Sequence, residues 1–215
     1  MSNVQGSVKR SRGRPKVRLD ADTLQLIHEA ARGEFLANGY AATSMEAVAC
    51  RAGVSTKTLY RLIPTKAELL QGMVAARLDQ FFSKIVADVV DEPDLETALA
   101  IMLIDCAGLT LDEEVVGLHR LVIAESDRFP EIAEAFYKNG IQRVPVALAA
   151  WLAARCRTGA LRLDDPKAAA GMLLGMMISE PQRAALLRQR KPPTSNEIRR
   201  RARACAELFL RGCAA

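Results

Sequence analysis

The chain of 215 residues is long enough to bury a hydrophobic core, and half of its residues are hydrophobic while only 5% are aromatic. Alanine and leucine are abundant and long β-branched runs are missing, which favours an all-α fold and argues against a sheet-based one. The longest apolar run, 144–154, is far short of the roughly 20 residues that span a bilayer, and no secretory signal pattern is present. We therefore expect a cytoplasmic protein without a membrane partner.

Positive charge is concentrated at the N-terminus. Residues 1–18 contain six lysines and arginines and no acidic residue, which leaves 24 basic and 25 acidic residues in the rest of the chain. We predict that residues 1–19 form a disordered basic arm whose partner is an anionic polymer. A disordered end that only improves solubility is an equal alternative on charge alone.

The residue types that carry catalysis or bind metals are sparse. The five cysteines are widely spaced, without a CxxC or CxxH pattern, and there are only two histidines. We find no Ser-His-Asp set and no glycine-rich phosphate loop. The sequence therefore predicts reduced cysteines, no metal, no cofactor and no enzymatic activity.

The first three predicted helices are closely spaced. An aspartate cap and a glycine bound the first, a Thr-x-x-Glu capping box and a glycine bound the second, and a serine cap and a proline bound the third. The first helix is bounded by Asp20 or Asp22 and by Gly39. The second is bounded by Thr43 or Ser44 and by Gly53, and the third by Ser55 and Pro64.

Six further helices are predicted to follow. Capping boxes that begin at Thr65 and Thr194 open the first and the last of them. The predicted ranges are about 66–90, 95–111, 113–127, 130–157, 166–179 and 195–211. Gly140 and Pro145 should kink or split the fourth of these helices, and Pro181 should begin a further short helix. The prediction is about nine helices, in one domain of residues 20–66 and a second of residues 67–215.

The second and third predicted helices have the spacing of a helix-turn-helix unit. Such a unit needs a small residue where its helices cross, which is Ala49, and a glycine at the left-handed turn, which is Gly53. The apolar anchors are Val48, Ala52, Val54, Leu59 and Leu62. An ordinary helical hairpin is the alternative, but it does not require these features together.

A helix-turn-helix places the first turn of its second helix in the major groove of DNA. Lysine there suits guanine, and a threonine methyl suits thymine. The predicted residues of this turn are Ser55, Thr56, Lys57 and Thr58. Phosphate contacts are predicted at helix N-termini and along the flank, from Thr43, Ser44, Tyr60, Arg61 and Lys66.

The segment FLANGYAATSMEAVACRAGVSTKTLYRLIPTKAELL resembles the DNA-binding domain of the tetracycline repressor (TetR) family. The resemblance covers about residues 24–70 and departs from the family at Leu62 and Ile63, where members commonly have an aromatic pair. This departure removes the family's expected contact at Leu62. The segment LHRLVIAESDRFPEIAEAFYKNG, residues 118–140, resembles the C-terminal domain of AefR-type members. The resemblance implies a homodimer whose C-terminal domain binds an inducer.

The basic arm contains GRPK at residues 13–16, which resembles the core of an AT-hook. In such a motif Arg14 would lie in a narrow A·T minor groove. An arm that binds phosphates without sequence preference is an equal alternative.

The second half of the chain is predicted to contain an apolar ligand pocket, because methionine adapts to varied hydrophobic ligands. The candidate pocket residues are Phe82, Met102, Cys106, Leu109, Leu121, Phe136, Trp151, Met172 and Met176, with His119 and Glu125 as polar anchors. An ordinary core would have the same spacing. In the TetR family the last two helices form the dimer interface, which predicts interface residues Met172, Met176, Ile198, Ala202, Phe209 and Leu210.

These patterns favour a homodimeric repressor that binds palindromic double-stranded DNA and is released by a small hydrophobic effector. The alternative is a constitutive architectural DNA-binding protein that uses the basic arm. Operator selectivity separates the two functions, because an architectural protein discriminates weakly between sequences.

Overall fold

In the computed structural model the described residues are 20–89, 92 and 94–213, without the side chains of 84–89 and 213. The predicted basic arm, including Arg14, lies outside them. Every regular element in this part of the chain is helical, which confirms the all-α prediction. None of these helices is long and apolar enough to cross a membrane. The α-helices are α1 (Asp20–Ala42), α2 (Met45–Ala52), α3 (Thr56–Leu62), α4 (Lys66–Val89), α5 (Leu95–Thr110), α6 (Glu113–Glu125), α7 (Pro130–Phe136), α8 (Arg143–Arg157), α9 (Pro166–Leu186) and α10 (Ser195–Cys213).

The caps of α2 and α3 use local side chains. The hydroxyl of Ser44 accepts the backbone N–H of Ala47 at 3.1 Å, and the hydroxyl of Ser55 accepts that of Thr58 at 3.0 Å. Gly53 ends α2 with a φ of 67°, a left-handed conformation that glycine adopts without strain. The turn of the helix-turn-helix is therefore built as its sequence predicts.

The junction between α1 and α2 differs in detail from the prediction. Gly39 has a φ of 81° and interrupts the helical backbone of α1. The buried Thr43 side chain donates its hydroxyl to the Gly39 carbonyl at 2.7 Å. Thr43 therefore satisfies the end of α1, and Ser44 alone caps α2. We call residues 39–43 the α1–α2 connection.

The core of the helix-turn-helix unit continues into the second half of the chain. Ile27 and Phe35 of α1, Leu59 of α3 and Leu69 and Leu70 of α4 are all completely buried. Helix α1 packs against α2, α3, α4 and α6. Helices α1 and α4 thus belong to the packing of both halves.

The predicted helix 130–157 is divided in two. A π-helical turn, Tyr137–Ile141, separates α7 from α8. A Cβ at Gly140 would lie 3.2 Å from the Val74 side chain, so glycine allows α4 to approach this turn closely. Pro145 lies in the first turn of α8, where its missing N–H removes no helical bond. This division gives ten α-helices in the described residues, where about nine were predicted.

The predicted helix end near Ser179 is wrong, because α9 continues through Pro181 to Leu186. Buried residues on both sides of the proline, Ile178 and Ala185, fasten the helix to the core. The Arg201 side chain of α10 also donates two hydrogen bonds to the Met176 carbonyl, at 2.8 and 3.0 Å. Pro181 has no N–H to donate to the carbonyl four residues before it, and the Met176 carbonyl is next to that one. Tertiary contacts therefore keep α9 continuous.

Candidate DNA-binding face and ligand cavity

The first turn of α3 presents free side chains to the solvent. Thr56 and Lys57 are exposed, and Lys57 makes no hydrogen bond or ion pair with any described residue. The hydroxyls of Ser55 and Thr58 lie 2.8 Å apart and share a hydrogen bond. Lys57 is therefore the cation of α3 that is ready for an anionic partner.

Other predicted contacts on this face are already paired with carboxylates. The Arg61 guanidinium donates to both oxygens of Asp20, at 2.8 and 3.1 Å. This hydrogen-bonded ion pair lowers the pKa of Asp20. The Tyr60 hydroxyl donates to Glu46 at 3.2 Å. Residues 20–66 contain five basic and five acidic residues, so the unit carries no net charge.

Lys66 is placed differently from its predicted role as a phosphate contact. Its Nζ donates to the carbonyls of Tyr40, Ala41 and Thr43, at 2.7, 3.3 and 2.9 Å, and lies 4.5 Å from the centre of the Tyr40 ring. Burial is the main cause that lowers the pKa of Lys66. In this structure the negative end of α1 is the partner of this lysine. Lys66 and the buried Thr43 are both engaged within the chain, and their phosphate contacts stay predictions.

Glu125, the last residue of α6, accepts hydrogen bonds from backbone N–H groups of the same α1–α2 connection. Its carboxylate accepts the backbone N–H of Tyr40 at 2.9 Å and that of Ala41 at 3.1 Å. A Cβ at Gly39 would lie 3.1 Å from this carboxylate. The sequence suggested Glu125 as a ligand anchor, but here it ties the second half of the chain to the helix-turn-helix unit.

A cavity of about 950 Å³ lies among α1, α4, α5, α6, α7, the π-helical turn, α8 and α9. Much of its wall is apolar, including Leu24, Val74, Leu118, Val144, Leu174 and Ile178. Its volume is in the range of sites for small organic ligands. The described residues contain no group of three side chains that could hold a metal ion.

The cavity wall includes two of the nine predicted pocket residues, Leu109 and Phe136. The other predictions are corrected as follows. Met102 and Cys106 are buried in the core, Phe82, Leu121 and Trp151 are partly buried away from the wall, and Met172 and Met176 are 68% and 40% exposed. Helical periodicity identifies a buried face, but it does not tell a filled part of the core from an empty one.

Both histidines of the chain lie on the cavity wall. His28 belongs to α1, a helix of the helix-turn-helix unit. His119 of α6 packs against the ring of Phe136, with 5.3 Å between ring centres. Burial lowers the pKa of both histidines below the ordinary value of 6.5. The contribution of α1 to the cavity had no signal in the sequence, because it depends on how α1 packs against α4 and α6.

The predicted dimer residues fall into two groups. Met172 and Met176 are exposed on α9, and Leu187 and Leu208, which were not predicted, are 70% and 66% exposed. Ala202 is completely buried within the chain, so its prediction as an interface residue is corrected. The remaining predicted residues, Ile198, Phe209 and Leu210, are partly buried against the chain's own core.

Two family models match the chain. The model described as "Bacterial regulatory proteins, tetR family" matches residues 27–73. The model described as "AefR-like transcriptional repressor, C-terminal domain" matches residues 97–214, which is more than half of the chain. No curated protein matches the sequence.

Several solved structures share the whole fold. A protein described as a TetR-family transcriptional regulator from Mesorhizobium loti MAFF303099 is 28% identical, with a TM-score of 0.80 over 93% of this chain and 100% of its own. The flavonoid-responsive regulator FrrA is 27% identical, with a TM-score of 0.70 over 90% and 97%. The regulator FadR from Bacillus subtilis, in complex with stearoyl-CoA, is 20% identical, with a TM-score of 0.66 over 87% and 98%, and shows a shared fold alone.

Proposed function

Because the chain belongs to the tetR family of bacterial regulatory proteins, with an AefR-like C-terminal domain, we propose that it is a ligand-released repressor. It acts as a homodimer on a palindromic operator and leaves DNA when a small molecule occupies the cavity. Residues 20–66 read DNA, and residues 67–215 bind the ligand and the second subunit. The observation that carries this proposal is that helices of the cavity wall also hold the α1–α2 connection.

Three helices each have one residue at the cavity and another at the connection. In α1 these are His28 and Gly39, and in α6 they are His119 and Glu125. Helix α4 has Val74 on the wall, and its first residue, Lys66, bonds to the connection. A ligand that shifts these helices relative to one another would alter the start of α2, and with it the direction of α3. Ligand and DNA would then oppose each other's binding by the same factor.

The exposed apolar side chains of α9 and α10 support the homodimer. Met172, Met176, Leu187 and Leu208 are large hydrophobic residues that the chain itself leaves uncovered. Such surfaces commonly mark contacts with another protein. A second subunit on this face would place the two α3 helices for half-sites about one helical turn apart, roughly 34–36 Å.

The relative named flavonoid-responsive regulator supports an organic effector for this chain. The cavity has the size and the apolar wall that such a molecule requires. The response of this chain to any flavonoid is part of the proposal.

The first experiment is selection of DNA from a random library with the purified protein. We expect a palindromic site, and the variant Met172→Glu should be monomeric by light scattering and lose affinity for that site. Ile123→Glu, at another exposed apolar residue, serves as the control and should remain dimeric. A wild-type protein that is monomeric, or that selects no palindrome, would refute the proposal.

The architectural alternative is favoured by one observation, the distribution of charge. Six basic residues precede residue 19, whereas residues 20–66 are neutral overall. Deletion of residues 2–19 should reduce affinity for DNA. The slope of the logarithm of affinity against the logarithm of salt concentration should become shallower, by up to about 0.9 for each phosphate that the arm neutralises in the full chain. If the full chain prefers A·T-rich DNA with little selectivity, and the deletion removes all binding, the architectural function replaces the repressor.

A further inference from the structure

The cavity wall contains two imidazoles whose hydrogen-bonding atoms are unused. His28 and His119 are each half-buried, and neither makes a hydrogen bond with another residue in the described ranges. The Nε2 atom of His28 lies so close to α4 that a Cβ at Gly72 would be 3.0 Å from it. Because burial lowers both pKa values, the two rings are neutral near pH 7. Each neutral ring has one N–H donor and one acceptor.

The charged residues of the wall balance one another. Glu29, Arg32, Arg77 and Glu114 line the cavity, two of each sign. Arg32 lies 3.1 Å from Glu114, and Arg77 lies 3.9 Å from Asp112. An anionic ligand would have to separate these arginines from their carboxylates, which costs free energy in a partly buried site. Glu29 already accepts a hydrogen bond from the Gln25 amide, for which a cationic ligand would compete. An uncharged ligand leaves the pairs intact.

The apolar part of the wall comes from more than one helix. Val74 and Leu78 belong to α4, whereas Leu174 and Ile178 belong to α9. The ring of Phe136, already packed against His119, adds an aromatic surface beside one of the two imidazoles. An apolar body between these helices would have hydrogen-bonding groups of the protein on two different walls, α1 and α6.

We infer that the ligand of this cavity is an uncharged organic molecule with an apolar body and with hydroxyl or carbonyl groups at two separated positions, which bind His28 and His119. The inference rests on the proposed function, since it names the chemical class of the proposed effector. His28 also makes α1, a helix of the DNA-binding unit, a direct contact of the ligand.

The preference for an uncharged ligand is tested with two fluorescent dyes of one carbon skeleton. N-phenyl-1-naphthylamine is uncharged, and 8-anilino-1-naphthalenesulfonate differs from it by a sulfonate. We expect the uncharged dye to bind at least about tenfold more tightly. The variant Leu174→Trp, which fills the cavity without changing its charge, should abolish the fluorescence. Equal or tighter binding of the sulfonate, or an undiminished signal in Leu174→Trp, would overturn the inference.

The role of the histidines is tested by displacing the uncharged dye with biphenyl and with 4,4′-dihydroxybiphenyl. The diol should bind more tightly than biphenyl to the wild type, by roughly fivefold for each imidazole that bonds to it. This advantage, taken as the ratio of the two affinities within each protein, should fall in His28→Leu and in His119→Leu and should disappear in the double variant. A diol advantage that persists in the double variant would refute the assignment.

A second pair of variants covers the case in which the double leucine variant no longer binds biphenyl. His28→Gln and His119→Gln keep a donor and an acceptor at each position, so the diol advantage should be retained. Its loss in these variants would contradict the inference. The dye experiments require no DNA, so they are separate from the test of the repressor. An anionic molecule that binds preferentially and releases DNA would overturn the ligand class alone, whereas uncharged binding without any effect on operator affinity would overturn the proposed function alone.

Discussion

Several polar side chains of the helix-turn-helix unit are paired within the chain, whereas the two histidines of the cavity are not. In the unit, Arg61 is paired with Asp20, Tyr60 with Glu46, and Lys66 with backbone carbonyls. In the cavity, His28 and His119 keep their hydrogen-bonding atoms without a described partner. Under the proposed function, the difference would mean that the DNA-reading half is organised before it meets DNA, whereas the cavity is completed by its ligand.

The two regions nevertheless have α1 and the start of α4 in common, and Glu125 of α6 bonds to the unit. The α1–α2 connection is bonded on one side by α4 and on the other by α6. A rigid reading unit can transmit a small displacement, because its core residues leave little space in which to absorb it. The α1–α2 connection and the cavity therefore lie at different ends of the same helices.

The largest effect is expected on stability, from Lys66→Ala. The change leaves three carbonyls of the α1–α2 connection without their donor, so the free energy of unfolding should fall by about 2–3 kcal/mol in chemical denaturation. The salt dependence of DNA binding should keep its slope if the lysine stays bonded to these carbonyls when DNA is bound. A slope reduced by about 0.9, with unchanged stability, would return Lys66 to the DNA interface.

The next effect is expected on DNA affinity, from Lys57→Ala. Lys57 is the unpaired cation at the start of α3, so its loss should weaken operator binding by about tenfold in fluorescence anisotropy. Stability should not change, because the side chain is exposed. Lys138→Ala removes an equally exposed charge in the π-helical turn and serves as the control. Equal losses for the two variants would show that only total charge matters.

A smaller gain is expected from Asp20→Asn. The change releases Arg61 from its carboxylate partner, so DNA affinity should rise by about fivefold at 0.15 M salt and the salt slope should steepen by about 0.9. Asp22→Asn removes the same charge two residues away and should have less effect. If both variants gain equally, the pairing of Arg61 does not limit its contact with phosphate.

The smallest effect concerns the pH dependence of stability and tests the burial of the two cavity histidines. The folded-state pKa values of His28 and His119 lie below the ordinary 6.5, so the unfolded chain takes up protons first as the pH falls. Stability is therefore retained above pH 6.5 and lost below it, until the folded histidines also become protonated. Between about pH 7.5 and about 5.5, the melting temperature of the wild type should fall by about one or two degrees more than that of the double leucine variant. An equal fall in both proteins would mean that burial does not disfavour the charged imidazoles.

The local parts of the fold were predictable from short stretches of sequence. Ser55, Gly53 and the Thr65 capping box act on backbone groups within three or four residues, so their patterns predicted α2, α3 and the start of α4. The π-helical turn was anticipated as a break because Gly140 weakens a helix. The continuity of α9 through Pro181 was not, because contacts with distant helices outweigh the local preference there.

The sequence by itself determined the helical class, the helix-turn-helix and its first-turn residues, since these depend on periodicity and on neighbours along the chain. Only the tertiary structure decided where Lys66 donates and where Glu125 accepts, because Glu125 and Tyr40 are 85 residues apart. It also decided which apolar residues line the cavity. A cavity is the space that packed helices leave between them. The residue pattern of one helix does not predict this space, because the space also depends on the positions of the neighbouring helices.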